Sequence, residues 1–145
     1  MILNTTHENK DHKKMIDDLV GKNYSLWQSL KIGGKGSKRM IIQSVSPNLR
    51  GLINEVSDIN YANIERRPKG ILIFINKGLQ NFTWVIPYYQ LYLYKTDSLS
   101  IHAQGHFVKF INNNMVKSND QFFKKIIEDK IIWDKQYELP ESILN

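Results

Sequence analysis

Across residues 61–111 short runs rich in apolar side chains, some of them alternating with polar ones, are cut at short intervals by turn-forming residues. That pattern dictates short antiparallel strands with one face buried. The cuts are Arg67-Pro68-Lys69-Gly70, Asn76-Lys77-Gly78, Thr96-Asp97-Ser98 and Gln104-Gly105. They delimit strands over 61–66, 70–75, 82–95, 99–103 and 106–111. Asn76-Lys77-Gly78 suits a three-residue hairpin loop with its glycine in the left-handed conformation. Pro87 has no N–H to give to a ladder, so 82–95 is either one strand bent there or two strands.

The final hairpin fixes its own register. A two-residue turn at Gln104-Gly105 sets Ala103 opposite His106, His102 opposite Phe107, Ile101 opposite Val108, Ser100 opposite Lys109 and Leu99 opposite Phe110. Leu99, Ile101, Ala103, Val108 and Phe110 then share a core face, and a slip of one residue would mix the two sets. His102 and His106 have the spacing of a metal-binding pair on a helix, but on this hairpin they point to opposite faces, so no metal site follows. In the strand before it, Tyr89, Leu91 and Leu93 fall on one face and Tyr88, Tyr92 and Tyr94 on the other. With Leu91 and Leu93 in the core, Tyr92 and Tyr94 lie beside His102 and Phe107, with Lys109 at the margin. This aromatic face is either covered, by the N-terminal helix or a dimer partner, or it is a contact surface.

Elsewhere the periods are mixed. Residues 1–22 form a polar arm whose apolar positions, Met15, Ile16, Leu19 and Val20, make one turn of a short helix ending near Gly21. Tyr24, Leu26, Leu30 and Ile32 fall on one face and Ser25, Trp27, Ser29 and Lys31 on the other, which predicts a strand over 24–32. A glycine loop then joins it to a second strand over 40–45, as a hairpin. Ser46-Pro47 opens a helix over 47–57, with Leu49, Leu52, Ile53 and Val56 as its stripe, ending near Asp58. An amphipathic C-terminal helix over 118–135, capped by Ser118 or Asn119, carries Phe122, Phe123, Ile126, Ile127, Ile131 and Trp133 onto the sheet. Residues 139–145 are a tail. The expected fold class is α+β: an antiparallel sheet of about six to seven strands, a half-barrel or sandwich, with the C-terminal helix and one or two extra helices. A length of 145 residues suits one domain.

Composition narrows the chemistry. The chain has no cysteine, which excludes a disulfide scaffold, an iron–sulfur cluster, a thiolate zinc site and a cysteine nucleophile. No cofactor is indicated. The net charge is +6, carried by 16 lysines and only 4 arginines, a bias in keeping with an AT-rich genome. One cluster stands out: Lys31, Lys35, Lys38 and Arg39 lie among Gly33, Gly34 and Gly36 with no acid between them. Glycine backbone can turn its amides toward an anion and lysines add charge. The nucleotide-binding phosphate loop needs a glycine followed by Lys-Ser/Thr at a strand-to-helix junction, and Lys35-Gly36-Ser37 inverts that order. Arg66, Arg67 and Lys69 could join the cluster if the two turns share an edge. No apolar run reaches the roughly 18 residues of a membrane span, and Met1-Ile2-Leu3-Asn4 is too short for a signal peptide. The expectation is a cytoplasmic protein.

About seven strands in hairpin succession with an amphipathic helix after them resemble the pleckstrin-homology superfold, in which two near-orthogonal sheets are closed at one end by a C-terminal helix. Residues 70–110, with Val85-Ile86-Pro87-Tyr88-Tyr89 and the hairpin L-S-I-H-A-Q-G-H-F-V-K-F, look like its small bacterial members. In lipid-binding members basic residues flank the first strand–strand loop, a placement that Lys31, Lys35, Lys38 and Arg39 match. The helix at 47–57 and the scarcity of arginine depart from the pattern. Three functions are expected, in this order. The first is a non-enzymatic protein-interaction module, pairing with a second copy or another protein through Tyr92, Tyr94, His102, Phe107 and Lys109. The second is an anion-contacting module that binds acidic lipid or nucleic acid through 31–39. The third is an enzyme, for which no nucleophile with its activating base is visible.

Overall fold

The apolar run at 71–75 lies in the middle of the sheet and is buried on both sides, which is why it does not alternate. In the computed structural model, which describes residues 1–54 and 59–137, eight strands are seen among the described residues. They are β1 (Ile2–Asn4), β2 (Met40–Val45), β3 (Tyr61–Arg67), β4 (Gly70–Lys77), β5 (Gln80–Pro87), β6 (Tyr92–Lys95), β7 (Leu99–Ala103) and β8 (His106–Phe110). They form one open antiparallel sheet in the order β1-β5-β4-β3-β2-β8-β7-β6. Helices α1 (Lys10–Val20), α2 (Leu26–Lys31), α3 (Asn114–Lys117) and α4 (Asp120–Lys135) accompany it, with 3-10 turns at Pro47–Leu52 and Tyr88–Gln90.

Strand β2 joins two meanders. Its first residues pair with β3 (Met40 with Ala62, Ile41 with Tyr61). Its last pair with β8 (Ser44 with Lys109, Val45 with Val108), after a register shift between Ile42 and Ser44. A bulge of this kind bends the strand and increases twist, letting β2–β5 and β6–β8 face a common core. Ile64, Ile71, Ile73, Ile75, Trp84, Ile86, Ile101, Val108 and Phe110 fill it, and α4 closes it with Phe123 and Ile126. A second, smaller cluster lies on the other face of β4 and β5, where Ile16 and Val20 of α1 pack on Leu72 and Val85.

Several expectations are corrected. Residues 24–32 are not a strand. Ser25 caps the N-terminus of α2, accepting from the Gln28 amide at 3.2 Å while the Gln28 side chain accepts from the Ser25 amide at 2.9 Å. That reciprocal capping box overrides the alternation. Accordingly 33–39 is a link from helix to strand and no hairpin. The helix over 47–57 is the 3-10 turn Pro47–Leu52; its expected end, with Val56 and Asp58, lies outside the described residues, as does the tail at 139–145. Of the two alternatives for 82–95, the two-strand one is found, because Pro87 ends β5 and a 3-10 turn succeeds it. The β4–β5 loop has two residues, Gly78 and Leu79, with Gly78 at φ 57°. Strand β1, unforeseen, adds an eighth strand by pairing Ile2 with Trp84. Asn119 does not cap α4 through its side chain; its amide group instead bridges Lys38 N and O at 3.0 and 3.1 Å.

Candidate functional site

The β7–β8 hairpin has the register that its turn demands: Ser100 with Lys109, Ile101 with Val108, His102 with Phe107 and Ala103 with His106. Gln104 and Gly105 both take positive φ, 56° and 77°, the twist that a tight two-residue turn requires. Leu99, Ile101, Ala103, Val108 and Phe110 are all buried.

The opposite face assembles the expected contact residues. Tyr92 stands opposite His102 and Tyr94 opposite Ser100. The His102 ring meets Tyr94 edge-on, with centroids 4.8 Å apart, and stacks on Phe107 at 5.4 Å. His102 Nε2 lies 3.0 Å from Ser100 Oγ. Tyr92 is 56% and Tyr94 53% exposed, whereas His102, Phe107 and Lys109 are half-buried. The Lys130 ammonium of α4 lies 5.4 Å from the centre of the Tyr92 ring, within reach of a cation–π attraction. At the margin, Asp97 accepts from Thr96 Oγ1 at 2.9 Å. That bond, helped by backbone amides and the Lys109 charge, holds the Asp97 carboxyl below its ordinary value. The face is therefore an aromatic row rimmed by both charge signs, on a strand whose outer edge pairs with nothing among the described residues.

Two neighbours differ from expectation. The 3-10 turn breaks the alternation after Pro87, so Tyr88 is buried and Tyr89 is exposed, the reverse of their assigned faces. The Tyr88 hydroxyl contacts Asp129 Oδ2 and Arg67 O, both at 3.2 Å, and burial, reinforced by the Asp129 charge, pushes its phenol well above the ordinary value. The N-terminal helix does not cover the aromatic row, because α1 packs over β4 and β5 instead. His106 points inward against Trp84, with rings 6.0 Å apart edge-on, so it shares no face with His102. Among the described residues no three His, Asp or Glu side chains gather as a metal site.

The backbone of the glycine-rich link is bonded within the protein. The amides of Gly33, Gly34, Lys35, Ser37 and Lys38 are bonded to Leu30 O, Ser29 O, Ser29 Oγ, Ile64 O and Asn119 Oδ1. Its carbonyls are occupied too: Arg66 Nη1 donates to Ile32 O at 2.7 Å and Gly34 O at 2.9 Å, and Lys125 Nζ to Gly33 O at 2.9 Å. Lys35 turns to Asn23 Oδ1, 3.0 Å, and Glu65, 3.9 Å, and the Arg39 guanidinium lies 4.2 Å over the Tyr61 ring. Arg66 and Arg67 are buried and paired with Asp129, and with Glu65 and Asp17, so they do not extend the basic cluster. Lys31, Lys38 and Arg39 remain exposed, as does Lys69 at the other turn.

Two further features escaped the sequence. An open cleft of roughly 1400 Å³ lies between α1 and the outer sheet face, with Lys10, Lys13, Asn76, Asn81 and Thr83 among its walls. In α2, Leu26, Trp27 and Leu30 are 77%, 75% and 67% exposed while Ser29 is half-buried and accepts from the Lys35 amide. The capping box Ser25-x-x-Gln28 is the signal that could have revealed this helix. No family model, curated protein or solved structure matches the chain.

Proposed function

We propose that the chain is a non-enzymatic protein-interaction module on a pleckstrin-homology-like scaffold, and that its contact surface is the aromatic row of β6–β8. The scaffold reading is supported by a four-strand meander, β2–β5, joined through β2 to a three-strand meander, β6–β8, with α4 after it. The observation that carries the contact reading is the exposure of Tyr92 and Tyr94 on an edge strand. Tyrosine supplies large area at low entropic cost, and an unpaired edge offers amides and carbonyls to another strand. An edge of this kind is self-complementary. A second copy, turned about a two-fold axis, can pair β6 with β6 and bring the two aromatic rows together.

Sedimentation over a concentration series tests it. The wild-type chain is expected to dimerise, and Tyr92→Asp/Tyr94→Asp to remain monomeric while still folded by circular dichroism, since both side chains are more than half exposed. A wild-type chain that stays monomeric throughout would contradict the pairing.

A further inference from the structure

Helix α2 is amphipathic with its faces reversed. A helix on a folded domain turns its apolar stripe to the core, yet α2 contributes no buried residue. Leu26, Trp27 and Leu30 point to water, and the small polar Ser29 is half-buried and accepts from the Lys35 amide of the link. Fraying does not account for this, because the segment is fastened at both ends. The capping box fixes its start. The bonds from Arg66 to Ile32 O and Gly34 O, and from Lys125 to Gly33 O, fix the link beyond its C-terminus. The fold thus mounts two leucines and a tryptophan outward on a rigid base.

Charge selects the occupant. From Leu19 to Asn54 the sequence contains no acidic residue, while Lys22, Lys31, Lys35, Lys38, Arg39 and Arg50 fall within it. Lys35 lies 3.9 Å from Glu65; Lys22 and Lys31 flank α2 in the chain and are exposed, and Lys38 and Arg39 are exposed further along the link. Two copies meeting through α2 would bring these like charges together, which disfavours a second copy as partner. The complement is anionic. It must also accommodate a convex wedge, since the apolar side chains project outward and line neither the α1 cleft nor the small hollow beside Trp133. A fluid bilayer meets both demands: its interface takes Trp and Leu side chains, and its anionic headgroups attract surrounding lysines.

We propose that α2 is an interfacial wedge that seats the protein on anionic membranes, with Leu26, Trp27 and Leu30 entering the headgroup region and Lys22, Lys31, Lys38 and Arg39 contacting the headgroups. This surface is separate from the aromatic row of β6–β8, and the two can fail independently.

The test is co-sedimentation of the full chain with vesicles of phosphatidylcholine alone and of three parts phosphatidylcholine to one part phosphatidylglycerol. Tryptophan emission is measured in parallel. Trp84 is wholly buried and Trp133 half-buried, so a blue shift on binding reports Trp27 and disappears in Trp27→Phe. Binding is expected with the anionic vesicles, weakening as salt rises. It is expected to fall by about tenfold or more in Leu26→Asn/Leu30→Asn and in Lys31→Glu/Lys38→Glu. Circular dichroism and the urea midpoint of each variant confirm folding, and the charge-reversal pair tests the proposal even if the asparagine pair folds poorly. Failure to bind anionic vesicles, equal binding to neutral ones, or binding that survives both double substitutions would overturn the proposal. So would self-association abolished by Leu26→Asn/Leu30→Asn, since it would assign α2 to a protein interface.

Discussion

Arg66 holds Asp129 through two bonds, Nε to Oδ2 at 2.8 Å and Nη2 to Oδ1 at 3.1 Å, tying β3 to α4. The guanidinium is buried, and its remaining donor reaches Ile32 O and Gly34 O. One side chain therefore positions the C-terminal helix and the base of α2 together. Asp129→Ala leaves that charge unpaired in the interior. The expected loss is about 3 kcal/mol, toward the lower end for a broken buried pair because Asp129 keeps contact with water. Replacing both partners with apolar residues, as in Arg66→Met/Asp129→Leu, is expected to cost less than Asp129→Ala alone. Urea unfolding of the wild type and the two variants checks the order, and equal costs for the single and double changes would count against the pair.

Alkaline stability carries the mark of Tyr88. The fold holds its phenol above the ordinary value of 10.0, through burial first and the Asp129 charge second. The folded state therefore keeps a proton that the unfolded chain releases. This contribution is present in full below pH 10.0 and is lost as the pH rises above it. The slope approaches about 1.4 kcal/mol per pH unit. Tyr24, raised by burial and then by Asp129, acts in the same direction. Urea midpoints measured from pH 8 to pH 11 should fall less steeply above about pH 10 in Tyr88→Phe than in the wild type. Identical slopes would refute the assignment.

Two glycines separate crowding from backbone conformation. A methyl on Gly70 would lie 2.3 Å from Ile86 O and 2.7 Å from a Val20 methyl, where β4, β5 and α1 converge. Gly105 has open space around it, but φ is 77°. Gly70→Ala must push two strands or a helix aside and is expected to cost about 3 kcal/mol. Gly105→Ala meets only the left-handed penalty of about 1 kcal/mol. Urea midpoints of the two variants in the reverse order would be inconsistent with this packing.

How far the sequence can be read depends on what sets each element locally. The 99–110 hairpin is legible in full, because a two-residue turn and one buried face leave a single register. The same logic places Tyr92 and Tyr94 beside His102 and Phe107. Residues 24–32 mislead because Leu26 and Leu30, four residues and so two strand repeats apart, are also about one helical turn apart. The deciding interaction lies between Ser25 and Gln28, outside the apolar pattern. Alternation puts Tyr88 on the wrong face because Pro87 starts a 3-10 turn that resets it. The internal bonding of the glycine-rich link is not legible, because Arg66 and Asn119, which occupy its carbonyls and an amide, are remote in the chain. Strand β1 has too few residues to show a period at all.

The contact role of the β6 edge is tested most directly by amide hydrogen exchange at low and high protein concentration. If β6 pairs with β6 of a second copy, the outward-facing amides of Tyr92–Lys95 gain protection as concentration rises. Those of β1, the opposite edge, do not change. Exchange along β6 that is independent of concentration and equal to that of Tyr92→Asp/Tyr94→Asp would contradict the account.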